Sequence, residues 1–119
     1  MNRSERGLVT TELAILFPLV IAVVLVALQL TLWAHARAVA QGAAEHGAEV
    51  AAAFDGSSED GQRAAEDYLA LAGQVDEASV RAERGPDSAT VTVVGTYPSL
   101  FGRLTISATT SVPIERLVR

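Results

Sequence analysis

The chain has no cysteine and no lysine, and aromatic residues make up only 5% of its 119 positions. The lack of cysteine excludes a disulfide framework, thiolate metal sites and cysteine nucleophiles. The lack of lysine excludes Schiff-base chemistry and a phosphate-loop lysine, and all nine basic residues are arginine. Few large rings mean a modest core, because alanine and valine dominate the apolar half of the composition and each buries little area at about 25 cal/mol per Å². His35 and His46 are the only histidines. On one helix, eleven residues separate them by about 16 Å, too far to share an ion. No glycine-rich phosphate loop appears, and the serines of the expected strands alternate outward with no histidine expected nearby. The expectation is a protein that is not an enzyme, with no cofactor, no metal and no small-molecule substrate. The longest absence is of charge: between Glu12 and Arg37 there is no formally charged residue.

What is present is asymmetric. The net charge is −5. Arg3, Glu5 and Arg6 precede the uncharged stretch, while residues 38–119 carry twelve acids against six arginines. A short basic N-terminus is expected to stay in the cytoplasm while the acidic remainder crosses the membrane. An acidic outer part also argues against nucleic acid as a partner. Leu13 to Ala34 is 22 residues long, interrupted only by Pro18, Gln29 and Thr31. At about 1.5 Å per residue it is long enough for a hydrocarbon core of about 30 Å.

Three readings of this segment are open. In a cleaved secretory signal, Ala34-His35-Ala36 would be the small-residue cleavage site, but the apolar run exceeds the roughly 7–15 residues of a signal core. A plain single-pass anchor, carrying an extracytoplasmic binding domain and left uncleaved, requires neither Gly7 nor Glu12. The third is a short basic leader that ends at Gly7, with cleavage making Leu8 the new N-terminus and Glu12 the fifth mature residue. A carboxylate carried to mid-bilayer costs roughly 2.5–3.5 kcal/mol on insertion scales, so an acid at the lip of a span usually marks function. The bland alternative has Glu12 snorkelling into the headgroups.

The helix is expected to continue beyond the membrane, since no proline occurs from Ala34 to Ala53 and alanine is abundant. Arg37, Gln41, Glu45 and Glu49 form a polar stripe, with Val39, Ala43, His46, Val50 and Phe54 as the apolar one. Pro18 lacks an amide donor and predicts a kink near Ala14. Gln29 and Trp33 are read as anchors at the outer interface. After Asp55-Gly56-Ser57-Ser58, a second helix is expected, capped by Ser57 or Ser58 and stopped at Gly73, with Ala64, Ala65, Tyr68, Leu69 and Ala72 on its apolar face. Strands follow over Ser79–Arg84 and Ala89–Tyr97, joined by Gly85-Pro86-Asp87-Ser88, and a third alternates from Leu104 to Ile114. Gly95 is expected to mark a bulge and Pro113 an edge or strand end. The fold class is therefore α+β: a long N-terminal helix whose lower half is transmembrane, a short second helix, and a three-stranded antiparallel meander packed on the long helix. The expected domains are a leader over 1–7, the transmembrane half of the first helix over 8–36, and a small extracytoplasmic head over 37–119.

Arg6-Gly7-x-x-Thr10-x-Glu12-Leu13-Ala14, Pro18, Ala36-Arg37 and Ala43-Ala44-x-x-Gly47-Ala48 together resemble the TadE-like pseudopilins of the tight-adherence (Tad, Flp pilus) machinery. The resemblance is dense over residues 6–53 and continues more loosely through Tyr97-Pro98 to Glu115-Arg116. Leu8 stands where the family more often has a small residue, and Thr11 where it often has valine. The resemblance implies a pilin-like fold and leader removal between Gly7 and Leu8 by a membrane prepilin peptidase. It also implies pairing of the Glu12 carboxylate with the α-amine of a neighbouring subunit, which sets register. The implied partners are that peptidase, other pilin or pseudopilin subunits and the Tad inner-membrane platform. The implied location is the bacterial cytoplasmic membrane, single-pass, N-terminus inside, with incorporation into a surface pilus as one outcome.

Overall fold

Alanine and leucine favour helix, and Pro18 is the one proline from residue 3 to residue 52. A computed structural model of the protein, describing residues 3–114 with side chains from residue 9, has one helix there, α1 (Arg3–Ala52). Helical backbone continues through Pro18. Four further elements follow: α2 (Ser58–Ala72), β1 (Asp76–Arg84), β2 (Ser88–Ser99) and β3 (Gly102–Pro113). The strands form one antiparallel sheet in the order β1-β2-β3. This is the expected α+β class, with a long apolar first helix, a short second helix and a three-stranded meander. Glu115-Arg116, read as the end of the third strand, lies outside the described residues.

The chain divides into two units between Thr31 and Leu32. In the first, the described side chains are exposed except Gln29, which is half-buried. Thr31 Oγ1 donates to the Ala27 carbonyl at 2.9 Å. That bond satisfies the hydroxyl within its own helix and lowers its cost in an apolar surrounding.

The second unit has a core of small residues. Ala36, Ala40, Ala43, Ala44, Ala48, Ala51 and Ala52 on α1 are buried, together with Val39. Against them pack Ala65 and Leu69 of α2 and Val91, Val93, Tyr97, Ile106 and Ala108 of the sheet. The buried face of α1 differs from the expected apolar stripe. Val39 and Ala43 lie on it, but His46 is exposed, Val50 half-buried, and Phe54 is 61% exposed. The cause is close packing between α1 and α2. A Cβ on Gly61 would lie 2.6 Å from Ala51 Cβ, and one on Gly47 2.7 Å from the Gly61 carbonyl oxygen. Only glycine and alanine fit this crossing, so it turns the alanine face inward and the bulkier side chains out.

Local signals hold up well elsewhere. Ser57 caps α2, its hydroxyl accepting the Asp60 N–H at 3.1 Å, and Gly73 closes the helix at φ 69°. The β1–β2 turn is closed by the Gly85 N–H donating to the Ser88 carbonyl at 2.8 Å. The bulge sits on β1 rather than on Gly95 itself: pairing shifts between Asp76 and Ser79, and Glu77 takes φ 50°. Gly95 faces it, where a Cβ would meet the Asp76 carbonyl oxygen at 3.0 Å. Pro113 ends β3, an edge strand whose outer side needs no donor.

Candidate functional site

Two groups of residues are positioned for intermolecular work, one in each unit. In the first unit α1 presents Glu12, exposed, at the N-terminal edge of a long apolar surface. Leu13, Ile15, Leu16, Phe17 and Leu19 around it are each about half or more exposed. Leu16 and Leu19 follow Glu12 at four and seven residues and therefore share its face. The most apolar stretch of this helix is long enough to cross a membrane, and none of it is buried by the chain itself. An apolar surface of this extent needs lipid or other helices to cover it. The side chains of Gly7 and Leu8, the expected cleavage pair, lie outside the described residues.

In the second unit, Trp33 is 39% exposed and the Arg37 guanidinium carbon sits 5.3 Å from its ring centroid. This cation–π geometry keeps an aromatic ring and a cation together in an open groove floored by Ala34, Ala38 and Gln41. Gln41 Nε2 donates to Thr110 Oγ1 at 3.4 Å, tying α1 to β3. His35 is exposed and unconnected to His46, whose ring is tilted beside Tyr68 at 6.2 Å between centroids. Among the described residues, no three of His, Cys, Asp and Glu are grouped to hold a metal ion.

One residue that sequence reasoning passed over organises the far end of α1. The last turn of that helix carries no basic residue of its own. Arg84, at the end of β1, reaches across instead: its Nη1 donates to the carbonyls of Ala51 and Ala53 at 3.1 Å each and to that of Gly56. Helix ends leave carbonyls without intrahelical partners, and a guanidinium both bonds them and sits favourably at the negative end of the helix dipole. The only sequence signal was an arginine just before a turn.

These elements define a class: an α+β chain whose N-terminal helix is long and apolar enough to cross a membrane. The family described as TadE-like protein matches residues 7–49, the stretch that holds Gly7, Glu12, Pro18, Trp33 and the alanine face of α1 as far as Ala48. The resemblance read from the sequence is thus borne out over that segment. The match and the long apolar helix together fit a membrane component associated with a Tad pilus. Comparison with curated proteins and with solved structures gives no match.

Proposed function

We propose that this protein is a minor pseudopilin: a non-enzymatic, single-pass component that primes, caps or joins a Tad-type filament at the bacterial cytoplasmic membrane. Its leader, residues 1–7, is removed by a prepilin peptidase between Gly7 and Leu8. The lower part of α1, over 8–36, then holds the subunit in the bilayer with Gln29 and Trp33 at the outer boundary. A bend at Pro18 eases the helix out of the membrane during assembly. Residues 37–119 form the extracytoplasmic head, and the partners are other pilin-like subunits and the assembly platform. No cofactor or small molecule takes part.

The observation that carries this reading is Glu12, an exposed carboxylate at the edge of a long apolar helix surface, five residues past Gly7 inside the TadE-like match. In hydrocarbon an acid persists best when paired. Cleavage creates a cation that can pair with it, the α-amine of Leu8 on a neighbouring chain. N-terminal sequencing after co-expression with a prepilin peptidase tests the maturation step. The expected mature sequence begins at Leu8 in the wild type and at Met1 in Gly7→Ala. A wild-type chain that keeps Met1 would reduce the span to a tether.

A further inference from the structure

The β2–β3 hairpin ends in an apolar tip that is exposed among the described residues. Phe101 is 83% exposed and Leu100 48%. Leu104, expected on the buried side of its strand, is 38% exposed beside them. From Tyr97 to Gly102 there is no charged residue.

Where the tip lies follows from how β2 tracks α1. Ala89 packs with Ala51 and Ala52, and Val91 comes next to Gly47. The strand therefore runs toward the Leu32 end of the helical segment. From Val91 to Ser99 the strand advances about 26 Å, and from Gly47 back to Leu32 the helix covers about 22 Å. Leu32 itself packs against the core cluster that holds Tyr97. Leu100 and Phe101 therefore lie toward the Leu32 and Trp33 end of this segment, close to where the uncharged stretch of the sequence ends before Arg37.

The tip is also built for a dry setting. Ser99 Oγ accepts the Phe101 N–H at 3.1 Å and donates to the Gly102 carbonyl at 2.5 Å. One hydroxyl thus satisfies two main-chain groups that would be costly to bring unpaired into an apolar medium. Gly102 takes the positive φ of 97° that closes the hairpin, so the two bulky side chains stand at its end. Arg103 follows directly, its charge matched by Asp76 at 3.2 Å, and a side chain of this kind can keep its charged head among lipid headgroups while its stem lies on apolar surface.

We propose that Leu100 and Phe101 insert into the outer headgroup and acyl boundary of the bilayer that α1 spans, giving the head a second membrane contact beside Trp33. The proposal rests on the spanning reading of α1. A second contact at the interface limits the tilt of the head against the membrane surface, which a single span leaves free. The hairpin must leave the lipid when the subunit enters a filament, so the tip opposes extraction.

The absence of native cysteine allows a single labelled site in the full chain. Phe101→Cys, and separately Leu100→Cys, are labelled with an environment-sensitive fluorophore and reconstituted into phosphatidylcholine vesicles with or without brominated acyl chains. Both labels are expected to lose most of their emission to the brominated lipid, as is the single tryptophan, Trp33, in unlabelled protein. A label on Asp87→Cys, at the opposite end of the sheet, is expected to keep its emission. A label on Val24→Cys reports the span separately. If Val24 is quenched while both tip labels keep their emission, the hairpin proposal fails and the span stands. If the tip labels resist brominated lipid but self-quench until the protein is diluted, the tip is covered by a second copy and the proposal is overturned. An unquenched Val24 overturns the spanning reading and the proposal with it.

Discussion

Replacing Arg84 with methionine removes the guanidinium while keeping a flexible apolar stem of similar reach. Nη1 has two hydrogens for the carbonyls of Ala51, Ala53 and Gly56, so two good bonds is the sound count. Bonds to a charged donor contribute about 1.5–3 kcal/mol each when buried. Arg84 is half-buried, so solvent screening and water replacing the lost donor bring the expected net loss down to about 2 kcal/mol. For a domain the size of the second unit, that corresponds to a fall in melting temperature on the order of 10 °C. Thermal unfolding of the full chain in nanodiscs, followed by circular dichroism of the sheet signal, reads it. Arg81→Met is the matched control, an exposed arginine on the same strand, and is expected to change stability by less than about 0.5 kcal/mol. If Arg84→Met melts within about 2 °C of wild type, the carbonyl bracket at the end of α1 contributes nothing of weight and the reasoning fails.

Further expectations concern packing and assembly. Gly61→Ala places a methyl 2.6 Å from Ala51 Cβ and 2.7 Å from the Gly47 carbonyl, and overpacking of this kind costs typically 1–3 kcal/mol. A lower midpoint in urea is expected, and an unchanged one would show that the α1–α2 crossing has room to spare. Glu12→Val should leave membrane insertion intact or improve it, yet prevent assembly. Carbonate extraction and filament yield separate the two, and wild-type filaments from this variant would remove the pairing role.

Much of this fold was legible because its local signals are unambiguous. Ser57 with acids in the following turn, Gly73 after the last apolar position, and Gly85-Pro86 between alternating runs each specify one backbone outcome. The buried face of α1 was not legible, because alanine occurs on every side of residues 36–53 and gives the helical period little contrast. The face was chosen instead by Gly47 and Gly61, which meet only in three dimensions. β1 begins at Asp76, three residues before the expected Ser79, because Asp76 to Ala78 have no strand propensity and pair only through a bulge opposite Gly95. In the first unit the acid in an apolar run stood out at once, since a membrane span tolerates few exceptions. Arg84 and Phe101 were invisible for the opposite reason: each is an ordinary residue whose place depends on where a distant helix ends.

The central claim, that Glu12 pairs with the processed amine of a neighbour, meets its most direct test in the missing lysine. After cleavage the Leu8 α-amine is the only primary amine in the mature chain. An apolar carbodiimide applied to membranes holding the mature protein should therefore form an amide between Glu12 and Leu8 of two different chains. Mass spectrometry is expected to find that linked peptide in a dimer band, absent from Glu12→Gln and from the uncleaved Gly7→Ala protein. Leu8 lies one turn, about 6 Å, before Glu12 in the same helix, so a link confined to single chains, or no Glu12 link at all, would contradict the claim.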